Sequence, residues 1–393
     1  MNKTLKIHAA DNIEVALTNL TKDTPIGSNG AEYLLATDVP AKHKFATRDF
    51  EPGDEIIMYG VLVGRATEKI RKGELISTKN IKHASSSFEL HERKTDWHKP
   101  DVSAWANKTF MGYHRADGSV GTRNYWLIIP LVFCENQNVK TIQEAFEKEL
   151  GYQYKADDIV DREVKGLVKL YREGKSKAEI TGIDIEEVAA QVQKPEPLFA
   201  NIDGIKFLNH TLGCGGTRDD AAALCGLLAG YITHPNVAGA TVLSLGCQNA
   251  QVAILRDAIA KRDANFSKPL IVLEQQEIGS EAVLLKRAVK ETFLELIEVN
   301  AQTRKPAPLN KLCIGLECGG SDGFSGLSAN PALGVVSDIL VAMGGSVILS
   351  EFPELCGVEQ GLSDRCVTDE VAQKIYGIDV DLPKSCRGIR FGF

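Results

Sequence analysis

The stretch GIKFLNHTLGCGGTRDDAAALCGLLAGYITHPNVAGATVLSLGCQN, residues 204–249, decides the fold. Gly204–Leu208 is a short apolar run, Asp219–Thr233 repeats its apolar residues at helical spacing, and Gly239–Leu245 is a second apolar run. Unbroken apolar runs suit strands buried on both faces, and strand–helix–strand succession makes a parallel pair with a crossover helix. Working outward, the same grammar continues on both sides. A strand is expected at Trp126–Phe133, then a helix at Gln251–Arg262, a strand at Pro269–Leu273 and a helix at Ser280–Val299. A strand at Leu312–Leu316, a helix at Pro331–Met343 and a strand at Ser346–Leu349 complete the series. Residues 111–393 therefore read as an α/β region with a mostly parallel sheet, and residues 151–200 as a charged helical insertion on its outside.

The first 83 residues read differently. Short apolar runs (Leu5–Ile7, Glu55–Tyr59, Val61–Val63, Glu74–Ser77) alternate with turn signals, as in a small β-domain. One helix is expected over Asn12–Leu20, capped by Asp11, with Ile13, Ala16, Leu17 and Leu20 on one face. Residues 84–110 lack periodicity and read as a linker across the surface.

Composition narrows the class. The 393 residues are 44% hydrophobic and 25% charged, ordinary for a globular protein with a real core. Trp126–Cys134 and Ala221–Ile232 are the longest uncharged apolar runs, and both fall short of the ~18 residues of a membrane span. The N-terminal sequence has no apolar signal core, so a cytoplasmic protein is expected. A net charge of −7 without a basic stripe argues against nucleic acid as a partner. The nine cysteines are never spaced C-x-x-C, and they read as thiols, not disulfides.

In open α/β sheets, ligands bind beyond the carboxyl ends of the strands. The residues following the six expected strands are Cys134-Glu135-Asn136, Asn209 to Arg218 (NHTLGCGGTR), Gly246-Cys247-Gln248-Asn249, Glu274 to Glu277, Glu317 to Gly323 (ECGGSDG) and Ser350-Glu351. Four of these six ends carry a cysteine, most of them beside glycine or an amide side chain. A free cysteine often merely fills space as a small hydrophobe. Four among polar groups point instead to a soft-ligand site, iron held by thiolates, or thiols lining a pocket, and the sequence leaves these open.

Three familiar motifs do not hold. No G-x-G-x-x-G follows a strand, and there is no H-E-x-x-H. Gly319–Gly323 matches G-x-S-x-G, but a hydrolase of that kind needs a later histidine, and the last one is His234. Gly112–Asn124 (GYHRADGSVGTRN) offers Arg115 and Arg123, whose forks suit a carboxylate or simply solvate a turn. His8 and His43 carry imidazoles able to ligate Fe, Mn or Zn, and Lys44 becomes a base if burial lowers its pKa. Lone histidines serve structural or surface roles more often.

These residues carry a resemblance. Ile7 to Asn12 with Ala41–Phe45 resembles the N-terminal SAF (β-clip) domain of sugar-acid dehydratases. GYHRADGSVGTRN, HTLGCGG, LGCQNAQV, LECGGSDGFSGLSANPALG and EFPELCGVEQ are similar, in order, to the altronate/galactarate dehydratase family. The resemblance implies an SAF domain over 1–83 and a hydro-lyase that uses Fe2+ or Mn2+ to turn D-altronate into 2-keto-3-deoxy-D-gluconate in hexuronate breakdown. It implies His8 and His43 as metal or acid–base groups and Lys44 as base. Arg115 and Arg123 would hold the carboxylate, with Cys214, Cys247 and Cys318 at the pocket. Asn12, Asn124, His210, Gly319, Gly320, Ser321 and Asp322 would contact the substrate. The expected partners are the sugar acid and copies of the same chain, with neither nucleic acid nor membrane. Galactarate or another acid, including a sulfo-acid that expels sulfite, is an alternative substrate, and a non-catalytic sugar-acid-binding relative an alternative role. The tail KSCRGIRFGF does not follow the family pattern, so a C-terminal portion of the family fold is expected to be missing.

Overall fold

The computed structural model describes residues 3–28, 31–86, 88, 97–152, 159–183, 196–317, 319, 323–351, 355 and 357–381. The chain forms two compact units, one from Met1–Asn107 with Leu312–Phe393 and the other from Lys108–Lys311.

The N-terminal part of the first unit is built of short strands: β1 Thr4–Leu5, β2 Ile13–Ala16, β3 Pro25–Ser28, β4 Ala31–Leu34, β5 Lys44–Ala46, β6 Glu55–Met58, β7 Val61–Ala66, β8 Leu75–Ile76 and β9 Ile81–His83. They pair as an antiparallel sheet β1-β2-β5-β8, a hairpin β3-β4 and a sheet β6-β7-β9. The helix expected over Asn12–Leu20 is not formed, because Ile13–Ala16 is the strand β2. Its spacing fits a helix, but all four strand residues are buried and its faces serve different cores: Ile13 and Val15 pack into one cluster and Ala16 into the other. Partner strands on both sides override the local preference. The Asn12 side chain is drawn into the same fabric, accepting from the Ile57 N–H at 2.8 Å and donating to the Glu55 carbonyl at 2.8 Å.

The second unit begins with β10 Thr109–His114, β11 Val120–Gly121 and β12 Tyr125–Pro130, then α1 Asn136–Glu149, α2 Ile159–Arg172 and α3 Lys177–Thr181. It continues through β13 Gly204–Phe207, α4 Arg218–Thr233, β14 Val237–Ser244, α5 Val252–Arg262, β15 Leu270–Glu274, α6 Gln275–Ile278, α7 Glu281–Asn300 and β16 Lys305–Pro308. The central sheet has order β13-β12-β14-β15, with all three pairings parallel. Alternate residues of β12 feed two cores. Trp126 and Ile128 meet α1 and α7 through Val139, Ile142, Phe146, Leu284 and Leu296, while Leu127 and Ile129 meet α4 and α5 through Leu224, Leu228, Ile232 and Leu255. Each such buried aliphatic chain contributes ~1.5–3 kcal/mol. Among the described residues, no helix is long and apolar enough to cross a membrane.

The last two expected strands form but do not join this sheet. β17 Cys313–Leu316 and β18 Ser346–Leu349 make a separate two-stranded parallel sheet in the first unit, connected by α8 Ala329–Ala342. In the second unit β16 pairs antiparallel with β10, and the unit ends at Lys311. Helices α9 Glu359–Asp364 and α10 Asp369–Asp381 follow.

Helix α4 is capped at its carboxyl end by Lys268, whose ammonium donates to the carbonyls of Ile232, Thr233 and His234 at 3.4, 2.9 and 2.7 Å. Burial pushes Lys268 down to about 8; nearby Arg115 lowers it further, while Asp117 and Asp263 oppose the shift. The unfolded chain, with lysine near 10.4, then binds more protons than the folded chain between pH 8 and that value. Stability contributed by this group therefore rises with pH across the window. Urea unfolding at pH 7.5, 8.5 and 9.5 should show a steeper rise in wild type than in Lys268→Met. Equal slopes would place Lys268 at its ordinary value.

Candidate functional site

The carboxyl ends of β12, β13, β14 and β15 lie along one edge of the sheet, and the loops that leave them are sewn together by backbone bonds. The Phe133 N–H donates to the Leu212 carbonyl at 2.9 Å, and the Ala250 N–H to the Gly213 carbonyl at 3.0 Å. The Asn249 amide donates to the Cys214 carbonyl at 3.0 Å. The loops bearing Cys134, Cys214 and Cys247 are thus joined, and all three thiols are exposed. Cys225, by contrast, is buried on α4, and burial pushes its thiol up to about 11.

Two glycines make the seam possible. Gly213 has φ 101°, and a Cβ there would lie 2.5 Å from the Leu131 carbonyl oxygen and 2.7 Å from Val132 Cα. Gly246 has φ 114°, and a Cβ there would lie 2.6 Å from Gln276 Oε1. Both conformations disfavour a side chain, and at Gly213 the atoms in the way are backbone.

Below the seam runs a buried polar chain. Gln248 is 1% exposed; its oxygen accepts from the Gly246 N–H at 2.7 Å and its amide donates to Ser244 Oγ at 2.6 Å. Ser244 donates in turn to Glu274 at 3.3 Å. Glu135 is 1% exposed and accepts from the Asn138 amide at 2.8 Å. Burial raises its carboxyl above the usual range, and the charge of Glu281 adds to the shift. Glu135 is the group the sequence reading passed over. Its signal was a carboxylate directly after a buried strand, but only the fold shows its burial.

His210 half-fills this edge. Its Nδ1 accepts from the Leu212 N–H at 3.1 Å, which leaves Nε2 to donate to the Pro130 carbonyl at 2.6 Å. Both ring nitrogens therefore hold the loop. Thr217 caps α4, accepting from the Asp220 N–H at 3.1 Å while its own N–H donates to the Asp220 carboxylate at 2.7 Å.

Arg115, Arg123 and Asn124 stand at the other end of the sheet. They precede β12, whose six residues at about 3.3 Å each span about 20 Å. Arg115 donates to the Pro235 carbonyl at 2.8 Å, to Gln302 at 2.9 Å and to Asn124 Oδ1 at 3.0 Å. Arg123 lies 3.5 Å from Asp203, which Arg304 grips at 2.9 and 3.1 Å. Asn124 is wholly buried and donates to the Asn201 carbonyl at 2.9 Å. A cavity of about 150 Å3 opens here, lined by His114, Arg115, Asp117, Asp263, Ser267 and Lys268 among others.

In the first unit, His8 and His43 flank opposite ends of β2. The His8 carbonyl accepts from the Asp11 N–H, while the His43 carbonyl accepts from the Ala16 N–H. His8 Nδ1 accepts from the Ala10 N–H at 3.2 Å. Lys44 pairs across β2 with Val15, and burial lowers its pKa. Gly319 is described, whereas Cys318, Gly320, Ser321 and Asp322 lie outside the described residues.

Thiols and imidazoles are donors of the kind iron takes, and carboxylates are of the kind manganese takes. Among the described residues, however, no three His, Cys, Asp or Glu side chains converge on one point. The described side chains as placed do not fit a divalent ion.

Comparison with known proteins matches three parts of the chain to one family. Residues 2–84 match the altronate/galactarate dehydratase SAF domain, residues 112–300 the D-galactarate dehydratase/altronate hydrolase second domain, and residues 309–386 the D-galactarate/altronate dehydratase C-terminal region. The chain is 32% identical to the altronate dehydratase of Bacillus subtilis (strain 168) over 96% of its own length and 65% of that protein's. It is 32% identical to altronate dehydratase of Escherichia coli (strain K12) over 94% of its length and 64% of the relative's. The galactarate dehydratase (L-threo-forming) of Escherichia coli (strain K12) is 27% identical, with 94% and 63% covered. The chain thus spans somewhat less than two thirds of the length of these relatives.

The accessibility of the thiols gives a direct check on the edge. Brief alkylation of the native protein, mapped by mass spectrometry, should label Cys134, Cys214 and Cys247 and spare Cys225 until the chain is unfolded. Early labelling of Cys225 would contradict the packing of α4.

Proposed function

Since the chain belongs to the D-galactarate/altronate dehydratase family, we propose that it eliminates water from a sugar acid, with D-altronate the first substrate to offer. The observation that carries this reading is the sewn carboxyl edge, where glycine backbone, amide side chains and thiols gather at the place open α/β sheets receive ligands.

The elimination removes a proton from C2 and the hydroxyl from C3. The C2–H electron pair forms the C2–C3 double bond, the C3–O bond breaks, and the hydroxyl leaves as water. The enol then takes up a proton at C3 and becomes the 2-keto-3-deoxy acid. One group must accept the C2 proton and another must protonate the departing hydroxyl. Glu135 has the property of the acid, because burial keeps its proton on to higher pH than a surface carboxyl would. The glycine-rich backbone Gly213–Gly216 offers amides to the substrate carboxylate, with Cys214 and Cys247 beside it. A role for Fe2+ or Mn2+ is a matter for the assay, since the described side chains do not assemble its ligands.

The test is turnover by this chain, purified without air and assayed in parallel with Fe2+, with Mn2+ and with a chelator. D-Altronate, galactarate and other aldonates are offered, and the 2-keto-3-deoxy acid is read by mass spectrometry. Product from altronate, lowered at least about 100-fold in Glu135→Gln, is the expected result. Product from galactarate alone would change the substrate and keep the reaction. No product from any acid under any metal condition would overturn the reading.

A further inference from the structure

The loop after β17 ends in Gly323-Phe324-Ser325-Gly326, the end of the LECGGSDGFSG motif, followed by Leu327, and it lies against the N-terminal β-domain within the first unit. Leu327 packs onto the core cluster of Ile13, Val15, Phe50 and Ile56. The Lys42 ammonium stands 4.8 Å over the Phe324 ring. A Cβ built on Gly323 would lie 2.9 Å from Lys42 Cβ and 3.1 Å from its Cδ. A Cβ built on Gly326 would lie 2.6 Å from the Tyr59 hydroxyl, with the next ring atom, Cζ, at 3.6 Å.

Both contacting residues sit on unusual backbone. Lys42 has φ 72° and Tyr59 φ 59°, two of the four non-glycine residues in the left-handed region among the described residues. A bulky residue is held there only when its surroundings over-determine it, and such positions gather at sites with a task. Here the two strained residues are the ones that meet the two motif glycines.

We infer that Lys42 and Tyr59 are positioning residues: the β-domain uses them to clasp Gly323–Leu327 and so fixes the place of this carboxyl-terminal part of the motif. This deepens the dehydratase reading and rests on it for its catalytic consequence, while the clasp itself does not. Neither glycine occupies the left-handed region, so at each it is the neighbour alone that must shift to admit an alanine. Reciprocal rescue follows from that geometry. Tyr59→Phe removes the atom at 2.6 Å and leaves the ring at an ordinary contact distance, and Lys42→Gly removes the three atoms nearest Gly323 while suiting the backbone.

The experiment compares wild type, Gly326→Ala and Tyr59→Phe/Gly326→Ala, with Gly323→Ala and Lys42→Gly/Gly323→Ala as the second set. Hydrogen exchange is read at the amides of Leu327 and Ser328, which donate to the Phe324 carbonyl. Gly326→Ala should raise their exchange at least about tenfold and lower kcat by on the order of ten- to a hundredfold with KM little changed, the signature of misplacement rather than lost binding. The double variant should return exchange to within about twofold of wild type and recover most of kcat, because the two substitutions couple through one contact. Double variants that exchange as fast as the single alanine variants would overturn the clasp, as would a Gly326→Ala protein that exchanges like wild type. Restored exchange with kcat unmoved throughout would overturn the positioning role and leave the contact. Should wild type form no product, the dehydratase reading fails and the exchange measurements still decide the clasp.

Discussion

The burial of β14 is the constraint on which the rest of the second unit depends. All eight residues from Val237 to Ser244 are buried, between β12 on one side and β15 on the other. Buried backbone of this kind must place its N–H and C=O groups in the ladder. The registers Ile128↔Thr241 and Thr241↔Ile271 are therefore fixed, and the carboxyl ends of the strands emerge together. Trp126 takes the room left by Gly239, where a Cβ would run into the indole. Its N–H donates to Thr241 at 3.1 Å, and Thr241 and Thr292 share a hydrogen bond of 2.6 Å, so the polar atoms inside the core have partners. A sheet locked this way can carry irregular loops at one edge without losing register.

The two ends of that sheet have taken different work. At the amino end, Asp203 gathers Arg304 in a two-pronged pair and the Asn124 N–H at 2.7 Å, while Arg115 ties Pro235, Gln302 and Asn124. Arg304 and Asp203 are mostly shielded, at 29% and 19% side-chain exposure, so their pairing is stronger than that of a surface ion pair. These arginines brace chain reversals. At the carboxyl end the polar groups are glycine backbone, amides, thiols and a raised carboxyl, the kinds of group that recognise and transfer. Helix α4 links the two, with its N-terminus at the glycine loop and its C-terminus on Lys268.

Strands β12 to β15 and helices α4, α5 and α7 of the second unit were legible because strands buried on both faces are nearly pure apolar runs, and Ala221, Leu224, Leu228 and Ile232 keep helical spacing; β10, β11, β16 and α1 were not read. Asn12–Leu20 was misread for a physical reason. Ile13, Ala16, Leu17 and Leu20 fit a helix as well as Ile13 and Val15 fit a strand, and only the neighbours β1 and β5 decide. The same holds for β17 and β18, which announce themselves as strands but not their partner. Side-chain chemistry was read by type: an arginine fork suits a carboxylate, and nothing local reveals that Arg115 also bonds Pro235 and Gln302. Cysteines at strand ends were visible, whereas the burial that tunes Glu135 exists only in the folded chain.

The glycines show why a motif can be read before its reason is known. Gly213 and Gly246 are doubly determined, by positive φ and by an atom where Cβ would be, so no change in the neighbour alone would admit a side chain. Gly323 and Gly326 are determined by neighbours alone, and those neighbours, Lys42 and Tyr59, lie more than 260 residues earlier in sequence. A glycine of the first kind records the path of its own loop. One of the second kind records a contact with a distant part of the chain, and a sequence motif keeps both without distinguishing them. The distinction is one of packing. It makes the end of LECGGSDGFSG a statement about the β-domain as much as about the loop that carries it.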